Sequence, residues 1–235
     1  MTDELLTNRR LTWDGCLNIR DLGGLPTADG GRTRRGAVIR ADNLDRLTAE
    51  GRAALADQGV RTVVDLRNEE EYRPLLPLPE GIDLVRVPLD QLAGPAWWER
   101  FGGLDGTPLS FLPYLDHCPD AVQDVVSAVA LARPGAVVVH CGAGRDRTGL
   151  AALVLLAAVR TEPGAIVDDY LLSTPNLRPL WGMLGQADQE QVIEGILAGA
   201  GTTAEAALLG TLAAFDPDRY LPSVELAALR ARLTG

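Results

Sequence analysis

The chain predicts an α/β fold, a mainly parallel central sheet flanked by helices, in a single domain spanning residues 1–235. Short runs rich in β-branched residues, 60–66 and 136–140, are separated by stretches with helical apolar spacing. That alternation favours parallel strands joined by helical crossovers. Turn signals punctuate it at Gly23-Gly24 and Asp29-Gly30-Gly31. At 235 residues the chain can bury one sizeable core and still carry an insertion.

Taken in order, residues 1–17 form a lead-in that packs through Leu11, Trp13 and Leu17. Residues 37–40 are a short strand. Residues 48–58 read as a helix, with Thr48 as its cap, Leu55 on its alanine-rich face and Gly59 as its stop. Residues 60–66 are a buried strand, 69–72 a short helix before the proline-rich run 74–79, and 84–88 another strand. Residues 91–118 hold Trp97, Trp98, Phe101, Phe111 and Tyr114 among glycines and prolines. They are either a mobile lid insertion whose rings grip a substrate or a packed insertion with its own aromatic cluster. Residues 136–140 form a strand and 150–159 a helix. A second helix, 162–172, opens with Pro163. A structural tail follows, with helices at 176–184, 189–198, 203–214 and 223–233. In such sheets, sites lie beyond the carboxyl ends of the strands, which puts Cys141, Asp65 to Arg67, and Leu89-Asp90 on one edge.

The decade His140-Cys141-Gly142-Ala143-Gly144-Arg145-Asp146-Arg147-Thr148-Gly149 joins the last strand to a helix. A loop in that position turns successive backbone N–H groups on one point, where the positive end of the helix dipole adds to them, and so cradles an anion. Gly142 and Gly144 let the backbone approach the ligand closely. Ala143, Arg145, Thr148 and Gly149 complete the substrate-binding candidates. The same field lowers a thiol from its ordinary pKa of about 8.5, which makes Cys141 the candidate nucleophile. Arg147 offers a planar fork to two phosphoryl oxygens, and Thr148 is placed to donate to the Cys141 sulfur as it leaves. His140 reads as a loop-shaping residue that bonds carbonyls beneath the cradle.

The leaving oxygen needs a proton. Asp146 is the candidate general acid, unless it braces the loop or pairs with Arg145; Asp65, Asp90, Asp105 and Asp116 are the alternatives. Asp65 with Arg67 also reads as a buried ion pair supporting the site, and Arg20 with Asp21 as another at the N-terminal turn. These parts fit phosphomonoester hydrolysis with no metal and no cofactor. A nucleotide-binding loop of the Gly-Lys-Ser/Thr type is absent, and no second Cys/His pair has zinc-ligand spacing. The rival readings are a phosphate-recognition module with little turnover and a sulfur transferase.

The loop resembles the His-Cys-x-x-Gly-Lys-Asp-Arg-Thr-Gly signature of the bacterial branch of the cysteine-dependent protein tyrosine phosphatase superfamily. It matches at Cys141, Gly144, Asp146, Arg147, Thr148 and Gly149, and departs at Arg145, where that branch has lysine. The whole chain contains no lysine, so the exchange fits a composition bias. Residues 18–24, Asn-Ile-Arg-Asp-Leu-Gly-Gly, are similar to the opening of the same branch, and 40–44 and 63–67 follow in its order. The resemblance covers residues 18 to about 172. It implies a phosphatase fold with a helical lid at 91–118, and protein-tyrosine phosphatase activity through a phosphocysteine. Its implied partners are phosphorylated protein, foremost phosphotyrosine, or phosphoinositide.

A net charge of −10 argues against a nucleic-acid partner and against bulk attraction to an anionic membrane. Arg32, Arg34, Arg35 and Arg40 form a local basic cluster, read as a solvated hairpin face. The N-terminus lacks the apolar segment of a signal peptide. The longest apolar stretch, 150–159, is too short to span a bilayer, so no transmembrane segment is expected. Three cysteines without framework spacing point to a reducing cytoplasm; export without a cleaved signal stays open.

Overall fold

Successive side chains of a strand point to opposite faces, so the three valines of Ala136–His140 require apolar layers above and below. The computed structural model, which describes residues 9–73, 77–185 and 187–234, supplies both. In chain order the strands are β1 (Arg20–Asp21), β2 (Val38–Ala41), β3 (Val60–Asp65), β4 (Asp83–Arg86) and β5 (Ala136–His140); across the sheet the order is β1-β2-β5-β3-β4. The β1–β2 pairing is antiparallel and the others are parallel. Ile39, Val138 and Val63 lie in one row across the central strands and pack on one face, with Trp13 and Leu55. Val137 and Val139 turn to the other face with Val38 and Val64.

The first of these faces is covered by α1 (Ala49–Asp57) and the segment around Trp13. As expected, the Thr48 hydroxyl caps α1 by accepting from the Gly51 N–H at 3.2 Å. Gly59 ends it at φ +76°. The other face carries α4 (Pro119–Ala130), α5 (Asp146–Ala158) and α11 (Ser223–Thr234), which pack on one another. Around them lie α2 (Leu89–Phe101), α3 (Phe111–His117), α6 (Pro163–Leu171), α7 (Ser173–Met183), α8 (Gln189–Gly199), α9 (Ala204–Ala214) and α10 (Pro217–Tyr220). No single described helix is long and apolar enough to cross a membrane; α8 and α9 pass together by length and composition but are bent by 65°.

The lead-in packs as expected, with Trp13 buried and Leu11 and Leu17 against core clusters; its residues 1–8 lie outside the described residues, as do 74–76 of the proline-rich run. Helix α4 was not expected. Pro119 sits in its first turn, and Val122, Val125, Val126 and Val129 form a buried stripe at helical spacing. Residues 91–118 fold as α2, broken at Gly94 (φ +73°), two short 3-10 turns and α3. Trp97, Phe111 and Tyr114 are buried in the main core, and the Trp97 ring meets Trp98 edge-on at 5.0 Å. The expected basic hairpin face does not include Arg40, which is 1% exposed and lies within the sheet.

Candidate active site

Cys141 directly follows β5 and is 2% exposed. The chain then turns through Gly142, Ala143, Gly144 and Arg145 into α5. Gly144 adopts φ +68°, and a Cβ there would lie 2.5 Å from the Ala41 carbonyl oxygen, so glycine alone lets the loop cross the end of β2. The loop carbonyls are tied from below. Asn18 Nδ2 donates to the oxygens of Ala143 (3.0 Å) and Gly144 (3.1 Å), Arg40 Nη2 donates to Gly144 O at 2.6 Å, and the Asn43 N–H to Gly142 O at 3.1 Å. In a trans peptide the C=O and N–H point in opposite directions, so tying the carbonyls leaves the amides for the other side.

This support rests on one buried carboxylate. Asp169 of α6 accepts from Arg9 (2.8 Å), Arg20 (3.0 Å) and Arg40 (2.7 Å). Burial acts to raise its carboxyl, but Arg20, Arg9 and Arg40 together hold it far below the usual carboxylate range. Burial, reinforced by the neighbouring Arg40 cation, brings Arg20 down to about 9. The expected Arg20–Asp21 pair is therefore corrected: Arg20 belongs to Asp169, and the Asp21 carboxylate accepts from the N–H groups of Gly23 and Gly36, both at 2.8 Å. The Asp65–Arg67 pair is present and buried, at 2.8 Å. His140 shapes the loop as expected, with Nδ1 3.3 Å from Cys141 O and Nε2 3.7 Å from Asp65. Burial lowers His140 below its ordinary value, opposed by Asp65.

Arg147, in the first turn of α5, is gripped through both terminal nitrogens by Glu71, with Nη2 to Oε1 at 2.8 Å. Its Nη1 also lies 3.0 Å from Asp90 Oδ2. A Cβ on Gly142 would be 3.7 Å from Glu71 Oε1 and 3.8 Å from Arg147 Nη2, which sets the pair against the start of the loop. Asp90, Asp105, Asp146 and Arg147 line one small cavity. Burial raises the Asp90 carboxyl to about 6; Arg147 opposes this, while Asp105, Glu71 and Asp146 add to it. Both Asp146 oxygens accept from Arg145, at 3.0 and 3.2 Å.

Such a thiol, cradle and clamped guanidinium are the parts of a cysteine-dependent phosphatase, and the sequence comparisons agree. The family model described as "Tyrosine phosphatase family" matches residues 11–234. The chain belongs to the tyrosine phosphatase family. Its relatives include the triple specificity protein phosphatase PtpB of Mycobacterium tuberculosis, 29% identical over 209 residues, covering 75% of this chain and 74% of that protein. A tyrosine-protein phosphatase of Nostoc commune is 33% identical over 143 residues, covering 58% of this chain and 48% of that protein.

In this phosphatase the structure brings Cys141, Gly142, Ala143, Gly144, Asp146, Arg147, Asp90, Asp65, Arg67 and His140 to one sheet edge. Three expectations change. Arg145 is only 4% exposed, and its remaining Nη1 is taken by Glu190 of α8, so its fork is turned from the cradle. The Thr148 hydroxyl is fully buried with no hydrogen-bond partner, and the bond to the Cys141 sulfur is not made. Gly149 serves packing, since a Cβ there would meet the Tyr170 ring at 2.7 Å. Asp116 is committed to the Tyr220 hydroxyl. Sequence reasoning missed Glu71, Asn18 as a loop anchor, and Asp169. Glu71 carried one local signal: it stands three residues after Asn68, and its carboxylate accepts from the Asn68 N–H at 2.9 Å, half of a capping box.

Proposed function

We propose that the phosphatase hydrolyses phosphotyrosine in proteins. The observation that carries this reading is the Arg147 guanidinium, set by Glu71 beside a buried cysteine at the end of the central strand. The Cys141 thiolate attacks phosphorus in line, forming the P–S bond as the P–O bond to tyrosine breaks. Arg147 and the loop amides hold the charge that develops on the phosphoryl oxygens. The phenolate leaves with a proton from a carboxylic acid. Asp146 is the donor expected from the sequence, but its oxygens are engaged by Arg145. Asp90, held at about 6, keeps a share of its protons near neutrality, and we assign it the transfer. Giving Asp90 the proton also loosens its pairing with Arg147, freeing Nη1 for the phosphoryl group. Water then attacks the phosphocysteine and returns its proton to Asp90, and the P–S bond breaks to release phosphate and the thiolate.

The name of PtpB records triple specificity, so other phosphomonoesters, phosphoinositides among them, are the competing substrates. Arg145, tied to Asp146 and Glu190, offers no guanidinium to a second phosphate, which favours a monophosphate. The segment 91–118 walls the site through Trp97, Asp105 and Phe111, and the burial of Trp97, Phe111 and Tyr114 in the main core supports a packed wall rather than a mobile lid. A reducing compartment such as the cytoplasm suits the chemistry, because Cys141 must stay reduced to attack. The test is phosphate release from phosphotyrosine, phosphoserine and soluble phosphoinositide substrates with a chelator present. Phosphotyrosine turnover that disappears in Cys141→Ser is the expected result. Full activity in that variant overturns the mechanism, and binding without turnover favours a recognition module.

A further inference from the structure

Beside the cradle lies a cavity of about 500 Å³ that the hydrolysis itself does not use, set between α6, α7 and the bent pair α8–α9. Arg145 belongs both to the cradle loop and to this cavity's wall, so the two adjoin. Ile193 and Leu197 of α8 give it apolar sides. Its polar groups are Arg145, Glu190, Glu194 and the threonines at its edge. Arg145 is already neutralised by Asp146 and Glu190. Glu194, one helical turn beyond Glu190, is exposed at the rim. Tyr170 is 6% exposed, and its hydroxyl has no hydrogen-bond partner. That hydroxyl is closed off from solvent, so Tyr170 contributes to the wall without offering the cavity a polar group.

Apolar walls and a carboxylate at the mouth match one kind of side chain: a long aliphatic stem ending in a cation. The surrounding charge has the same sense. Glu71, Asp90, Asp105, Asp146 and Glu190 surround the two loop guanidiniums of Arg145 and Arg147, and Glu194 adds a further carboxylate on the cavity wall, so a second anion meets carboxylates while a cation gains from them. We propose that this cavity is a subsite for a lysine or arginine side chain near the phosphotyrosine of a protein substrate, with Glu194 receiving its charge. The proposal rests on the phosphotyrosine reading above.

Peptides test it, with arginine, alanine or glutamate scanned through the positions flanking phosphotyrosine, assayed on the full chain beside p-nitrophenyl phosphate, which has no flank, and a soluble phosphoinositide. The best arginine peptide should exceed its alanine analogue about tenfold in kcat/KM, mainly through KM. Glu194→Gln should shrink that advantage to about twofold and leave p-nitrophenyl phosphate turnover unchanged. Ile193→Trp, which fills the cavity, should do the same without altering charge. Equal rates for arginine and alanine peptides overturn the subsite, as does a preference for glutamate flanks or for the phosphoinositide, or an undiminished arginine advantage in Glu194→Gln. Failure of every phosphotyrosine peptide together with p-nitrophenyl phosphate overturns the phosphatase reading itself.

Discussion

Asp90 gives the site its pH response. A proton donor must be protonated to act, so with its carboxyl at about 6 turnover should fall as pH rises through that value. Asp90→Asn should remove this limb of the kcat profile and slow turnover by about a hundredfold, while Asp146→Asn should keep the limb; the reverse pattern would return the proton to Asp146. The same group affects stability with a definite sign. Its folded value lies above the ordinary 3.8, so its stabilising proton is fully bound at lower pH and is lost as pH rises through about 6. Asp90→Asn should therefore raise Tm above neutral pH while it lowers activity, a trade that thermal unfolding and turnover measured side by side would reveal. Glu71 acts through Arg147 as a positioning residue. Glu71→Gln should weaken inhibition by inorganic phosphate and lower kcat about tenfold, and a variant with unaltered phosphate inhibition would show that Arg147 holds its place without it.

The loop is only as rigid as the elements under it. Asn18, just before β1, and Arg40 of β2 hold its carbonyls, and α6 supplies the single carboxylate that three buried guanidiniums share. Removing that carboxylate leaves buried cations uncompensated, so Asp169→Asn should cost about 3–5 kcal/mol in a urea titration. The native carboxyl is held low, so its contribution is present above pH about 4 and is lost as pH falls below it; the variant's deficit should narrow in acid. Legibility at this scale followed burial. Strand β5 stood out because both its faces are covered, which demands continuous apolar residues, and β3 because its β-branched run is buried except at Arg61. Helix α4 did not, because its apolar stripe is made of valines, whose β-branched side chains argue for strand when read singly. The three- and four-residue spacing after Pro119 was the signal that decided otherwise.

Across the whole molecule, the cradle was legible because its parts are consecutive in the chain, whereas its supports were not. Glu71 lies 76 residues from Arg147, and Asp169 lies 160 from Arg9; those pairings follow from the strand order and from how α6 packs, which no local pattern states. The same architecture separates stability from chemistry. Helix α11 buries Leu226, Leu229 and Leu233 against the helices of one face. Its last turn reaches the amino end of β5, where Arg232 Nη1 donates to Gly135 O at 3.0 Å. The cradle is at the carboxyl end of that strand. Leu229→Ala, at a position 0% exposed, should cost about 2.5–5 kcal/mol through lost burial and the cavity left behind, which for a chain of this size lowers Tm by about 10 °C. Below that transition, kcat/KM for p-nitrophenyl phosphate should stay at the wild-type value, because the helix ends at the amino end of β5 and the loop lies at that strand's carboxyl end. A fall in kcat/KM well below the Tm would instead mean that α5, which runs from the cradle into this core, transmits the packing defect to Arg147.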